Sequence, residues 1–284
     1  MRHAAARCLL VLLVCIPLPT ALGQPPQPAS VQLTFGIVPQ QAVTEMARLW
    51  TPILSYLSQK TGYSIQFRSA ADIRTFENRV EAGEYDFAYF NPLHYSTFRE
   101  NGYEAIVREK DVVLTGIIVV HKSSVMKGLR DLEGMTVAYP SSTAFAATIL
   151  PTMFFRQERI NVTPRYVSSH ESVYRTVAQG LYPAGGGIVK TYEQADPAVR
   201  DQLRILWKTP SFTPHPVAAH QRLPRHIVQR VRKALTDMAS DPQGAAILKS
   251  SGLKGFIATG DGDYHDIRTL NVNIMRGGGV DYRK

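Results

Sequence analysis

The sequence predicts an α/β protein, with helices layered on mostly parallel sheets in one large or two medium domains. Three observations carry this. Short apolar, β-branched runs alternate with segments whose apolar residues recur every three or four positions. Both cysteines, Cys8 and Cys15, fall in the first twenty residues, so the remainder must hold together by a hydrophobic core alone. After those first residues no stretch approaches 18 consecutive apolar positions, so the mature protein is expected to be soluble.

The elements follow in order. Residues 1–23, "MRHAAARCLLVLLVCIPLPTALG", pair Arg2 and Arg7 with an apolar run and then small residues, the order of a cleavable secretory signal peptide. Residues 24–30, "QPPQPAS", read as a short disordered leader. "VQLTFGIV" reads as a strand. Residues 43–60 read as a helix with Met46, Trp50, Ile53, Leu54 and Leu57 on one face, where Pro52 either kinks the helix or starts a second one. "YSIQFR" is a strand and "ADIRTFENRVEAG" a helix capped by Asp72 and stopped at Gly83. Then come strand "YDFAYF", helix "LHYSTFREN" and strands "YEAIVR" and "VVLTGIIVV". Strand "GMTVAYP" precedes a helix over "SSTAFAATILPTMFFRQE", and strand "TPRYVSS" precedes helix "ESVYRTVAQG". "AGGGIV" and "LRILWKT" are strands, "HPVAAHQ" returns the chain across the molecule, and two terminal helices begin at "PRHIV" and "PQGAA".

Charge narrows the partners. Arg2 and Arg7 leave with the signal, so 30 basic and 23 acidic side chains remain, a balance of +7. The basic residues are scattered rather than blocked, which argues against nucleic acid and leaves anionic ligands open. Enzyme signatures are missing: no GxSxG, no HExxH, no cysteine nucleophile, and no motif for a cofactor. "GDGDYHD" (260–266) fails as a calcium loop because the twelfth position from Asp261 is Val272, which offers no side-chain oxygen.

Two strand-to-helix turns are rich in hydroxyls. Ser141, Ser142 and Thr143 follow "AYP", and Ser168, Ser169 and His170 follow "YV". Each fits ordinary helix capping. Each also fits an anion site, because free N–H groups and a positive dipole end would emerge at one sheet edge. Three consecutive glycines at 185–187 permit close approach of a ligand or of another backbone, or form a bulged strand end. His215 stands between two prolines, rigidly displayed.

The segments "FGIVPQ", "LWTPILSYLSQKTGY", "YDFAYFNPLHY", "LRDLEGMTVAYPSSTAFAATILP" and "YVSSHESVYRTVAQG", in this order, resemble the PhnD-like phosphate/phosphite/phosphonate periplasmic substrate-binding proteins of ABC importers. The resemblance spans roughly residues 31–270. It implies a type II periplasmic-binding-protein fold, two α/β lobes joined by a two-strand hinge and closing on a ligand. It further implies lobe 1 from residues 31–115 and 217–284, lobe 2 from residues 116–216, a periplasmic location, no catalysis and no cofactor. The expected partners are a small oxyanion and an ABC permease.

By the same resemblance Tyr89, Phe90, Asn91 and Tyr95 would line the cleft from lobe 1. Ser141, Ser142, Thr143 and His170 would hold the oxyanion from lobe 2. Lys190 and His215 fall where aminophosphonate binders carry carboxylates, so the expected ligand is an oxyanion without an amino group. Two alternatives remain: a ligand-sensing protein serving a separate membrane histidine kinase, and a secreted α/β hydrolase.

Overall fold

The computed structural model describes residues 31–275 and 279–282. The expected signal peptide and leader lie outside them. Strand β1 (Gln32–Ile37) leads to helix α1 (Val43–Thr61), β2 (Ser64–Arg68), α2 (Ile73–Glu81), β3 (Phe87–Tyr89), α3 (Pro92–Phe98) and β4 (Tyr103–Glu109). The chain then builds a second sheet from β5 (Leu114–His121), β6 (Thr136–Tyr139), β7 (Thr163–Tyr166), β8 (Ala184–Ile188) and β9 (Leu203–Phe212). Helices α4 (Leu150–Gln157), α5 (His170–Ala178), α6 (Val189–Glu193) and α7 (Pro197–Arg200) accompany it. It returns through β10 (Pro216–His220), α8 (Arg225–Asp237), α9 (Pro242–Ser250), β11 (Phe256–Ala258) and α10 (His265–Arg268), and ends in the hairpin β12 (Val272–Met275) and β13 (Gly279–Tyr282).

The first sheet has the order β11-β4-β10-β3-β1-β2 and the second β7-β6-β8-β5-β9. Two short connections, residues 110–113 and 213–215, run between them. This is the two-lobed α/β architecture with a double crossing. The sheets are mixed rather than mostly parallel. β1 is parallel to β2 and β3, and β6 to β7 and β8, but β10, β11, β5 and β9 pair antiparallel with their neighbours. β5 and β10 run antiparallel to their neighbours because each enters its new sheet from a crossing and runs back from the interface.

Helix α1 continues through Pro52, because its buried face of Met46, Trp50, Ile53, Leu54 and Leu57 binds it to the first sheet despite the missing N–H. Asp72 caps α2, accepting from the Thr75 N–H at 2.7 Å.

The helix expected from Ser141 starts later. Residues 141–144 form a turn, Phe145–Ile149 make a π-helical turn, and α4 follows. Pro151 supplies the reason: it has no N–H for the carbonyl four residues back and its ring crowds that carbonyl, so the turn widens. The freed backbone lies directly on the sheet. A Cβ at Gly116 of β5 would collide with the Ala146 carbonyl oxygen, and one at Gly186 of β8 with that of Ala147. Gly187 likewise makes room for the Tyr174 hydroxyl. The triple glycine therefore admits helices to both faces of the second sheet; it is not a ligand cradle.

Candidate functional site

The carboxyl ends of β1, β3, β4, β6 and β8 and the first residues of β5 and β10 face one another between the two sheets. Ligands bind in such crevices because loops and helix starts converge there. The lobes are in contact across it. The Asn91 side-chain N–H donates to the Thr143 carbonyl at 3.4 Å, and the His170 backbone N–H donates to the Gln40 carbonyl at 3.3 Å. Behind Asn91 the His94 Nε2 meets the buried Glu77 carboxylate at 2.9 Å.

Two compartments lie in the crevice. The inner one is lined by Val38, Ile73 and Asn91 from the first lobe and by Ala144–Ala147 and His170 from the second. The outer one is lined by Trp50, Tyr89, Glu109, Leu253, Lys190 and Thr191, among others. Gln40, Leu114, Ile188 and His215 border both. Gln40 Nε2 and His215 Nε2, 2.8 Å apart and hydrogen-bonded, form the neck between them.

Asn91 does two jobs. Its Oδ1 accepts from the His94 N–H at 2.8 Å, capping α3, and its amide faces the inner compartment. Opposite stands the first π turn, whose N–H groups have no partner within the helix. His170 opens α5 after the capping Ser169, which accepts from the Ser172 N–H at 3.1 Å. Its Nδ1 lies 3.3 Å from the Thr191 hydroxyl. Burial lowers the His170 pKa to about 4. Burial first, then the nearby Lys190, His170 and His94, lower that of His215 to about 3. Both imidazoles are therefore neutral near pH 7 and act as dipoles. The His215 ring stacks on Tyr89 with centroids 5.2 Å apart, and Tyr89 packs on Trp50 at 4.8 Å.

Four expectations change. Phe90 is fully buried and packs on Phe76 and Tyr103 behind the cleft wall. Strand alternation explains this, since Tyr89 and Phe90 point to opposite faces. Tyr95 is also buried. Its hydroxyl meets Asp261 at 3.3 Å and accepts from the Ala105 N–H, away from the crevice. Ser141 and Thr143 hydrogen-bond within the turn, and neither they nor Ser142 border the inner compartment, whose wall there is Ala144, Phe145, Ala146 and Ala147. Lys190 does border the crevice, but its ammonium is paired with the Glu109 carboxylate of the other lobe. It is not a free cation.

Gln40, Glu109, Trp50 and Thr191 complete the site, and sequence reasoning missed them. Gln40 and Glu109 left a weak trace, each a polar residue closing an apolar strand run. Trp50 and Thr191 left none, because Trp50 reads as core and Thr191 falls in an unassigned segment.

Two hinged α/β lobes with a polar crevice between them define a ligand-binding protein of the type II periplasmic class. Residues 35–264 match the family described as ABC transporter, phosphonate, periplasmic substrate-binding protein, and the chain belongs to that family. A curated relative from Mycolicibacterium smegmatis, the phosphate-import protein PhnD, is 19% identical over 269 residues, covering 83% of this chain and 84% of the relative. The binding-protein component of an ABC phosphonate transporter from Pseudomonas aeruginosa superposes with a TM-score of 0.79 at 18% identity, covering 85% and 86% of the two chains. PhnD1 of Prochlorococcus marinus, solved with methylphosphonate, gives 0.77 at 17% identity, covering 84% and 97%. The comparisons favour neither the sensory nor the hydrolytic alternative. Among the described residues no helix is long and apolar enough to cross a membrane.

Proposed function

We propose that this transporter component captures a small oxyanion of the phosphonate, phosphite or phosphate type, without an amino group, and hands it unchanged to an ABC permease in the periplasm. The observation that carries the reading is the inner compartment. It joins the N–H groups at the start of the π turn, the Asn91 amide and the neutral His170 ring, with no carboxylate among its lining residues. Oriented N–H dipoles can hold an oxyanion without a full countercharge. The names of the relatives point to the same ligand class.

Among the described residues Glu109 is the acidic group lining the two compartments, and Lys190 already engages it. An aminoalkylphosphonate would have to displace Lys190 to find a counterion. Lobe boundaries fall within residues 110–113 and 213–215, which act as the hinge, and residues 1–23 direct export.

The test is a thermal-shift panel of phosphate, phosphite, methylphosphonate, aminoethylphosphonate and sulfate, run on wild type and on Lys190→Glu. A ligand that binds only the folded state raises its stability with the logarithm of concentration over Kd. Wild type should respond to a non-amino member. Lys190→Glu, with two adjacent carboxylates, should shift preference towards aminoethylphosphonate. A wild type that prefers aminoethylphosphonate would overturn the amino-free reading.

A further inference from the structure

The crossing at residues 213–215 is gripped by the carboxyl-terminal part of the chain. The Thr213 N–H donates to Asp266 Oδ2 at 2.8 Å, and the Thr213 hydroxyl donates to the Asp263 carbonyl at 2.9 Å. The Tyr264 hydroxyl, on a fully buried side chain, donates to the Pro214 carbonyl at 3.1 Å. Hinge residues absorb the backbone rotation when lobes part. Here the polar groups of one hinge segment are tied to the turn at 261–264 and to α10, so that segment cannot turn without dragging or breaking them.

The same stretch of chain then reaches the second lobe. In the hairpin, Val272 pairs with Tyr282 and Ile274 with Val280. Paired residues share a face, so these four apolar side chains line one side of the ribbon. A two-stranded hairpin is marginal on its own in water and needs such a face covered. Val272 and Ile274 are buried in a cluster that holds Leu93 and Phe98 of α3 in the first lobe and Ile149 and Leu150 in the second. Val280 and Tyr282 pack against that cluster. At the end of β13 the Arg156 guanidinium of α4 lies over the Tyr282 ring, 4.1 Å from its centroid. An aromatic face attracts a cation held there.

We propose that the turn at 261–264, α10 and the paired strands β12 and β13 act as a brace, fastened to the 213–215 crossing at one end and to α4 of the second lobe at the other, which holds the lobes closed before any ligand arrives. Swinging α4 away from α3 pulls Arg156 off Tyr282 and uncovers the apolar face of the hairpin. A contact made in one arrangement and lost in the other shifts the balance by its own free energy. The brace is independent of which anion the crevice takes.

The experiment measures the distance between the lobes in ligand-free protein by pulsed dipolar spectroscopy. The chain beyond residue 23 has no cysteine, so spin labels can be placed at Gln59→Cys on α1 and Gln179→Cys after α5, both exposed positions. The labelled background should show one distance. Arg156 is exposed, so Arg156→Ala spares the core. It should add a second population, with the open-to-closed ratio raised about two- to fivefold. Tyr282→Ala should do at least as much, whereas Tyr282→Phe keeps the ring and should keep the background distribution. Adding Arg156→Ala to Tyr282→Ala should change little further, because both remove the same contact. An Arg156→Ala distribution identical to the background overturns the proposal, whether or not Tyr282→Ala folds. A background already divided between two distances also overturns it. Single effects that multiply in the double variant overturn the assignment to the Arg156–Tyr282 contact.

Discussion

The two buried imidazoles make the crevice sensitive to acid in a direction that can be worked out. His170 and His215 have folded-state pKa values lowered to about 4 and about 3, below the ordinary value of 6.5. Between those values the unfolded chain binds more protons than the folded one. Their contribution to stability is therefore complete above pH 6.5 and is lost as the pH falls towards 4 and then 3. The melting temperature should drop over that window, and His215→Asn should flatten the drop; an unchanged slope would mean that His215 is not neutral and buried. The Glu109 carboxylate is 5% exposed and Lys190 is its counterion. Lys190→Ala leaves that carboxylate unanswered, so a loss of about 2 kcal/mol is expected in denaturant unfolding, between the values for surface and for fully buried pairs. Replacing both residues, Lys190→Met with Glu109→Gln, should recover most of it.

Among the elements, the π turn and the glycines beneath it form one unit. Gly186→Ala places a methyl group in the space of the Ala147 carbonyl oxygen, and backbone cannot yield as a side-chain tip can. A cost of at least about 2 kcal/mol is expected, read from the shift in the urea midpoint. Gly134, by contrast, has open space around its Cβ direction and a positive φ, so alanine there should cost only backbone strain. Asn91→Ala should remove about 1 kcal/mol through the lost α3 cap, and its ligand affinity should fall as well. A stability loss with affinity intact would make Asn91 a cap and nothing more.

These elements also show what could be read in advance. The order of strands and helices follows from apolar periodicity and from caps such as Asp72 and Asn91, which act through chain neighbours. The late start of the helix after Ser141 was hidden because its cause, Pro151 against a glycine-paved sheet, lies on three distant segments. The site was half legible for the same reason. His170 and Asn91 stand at helix starts, where local pattern speaks, whereas the Glu109–Lys190 pair joins residues 81 apart and exists only once the lobes meet. Phe90 and Tyr95 show the opposite error, since a cluster of aromatics at a turn announces a site and a core in the same letters.

For the whole molecule, the contacts between the lobes set how readily it opens. Apart from apolar packing they include the Lys190–Glu109 pair, the Asn91–Thr143 bond and the His170–Gln40 bond. Each would be lost if the lobes rotated apart. Lys190→Ala should raise the radius of gyration measured by X-ray scattering, and a saturating ligand should lower it again. An identical radius for wild type and variant would mean that apolar packing alone decides closure.

Strand β10 has a consequence for the order in which the molecule can assemble. It occupies the middle of the first sheet, between β3 and β4, yet arrives in sequence after the whole second lobe. Until residue 220 is available, β3 and β4 face each other across an unfilled gap. A nascent chain emerging amino end first thus cannot finish its first lobe until the second has followed it.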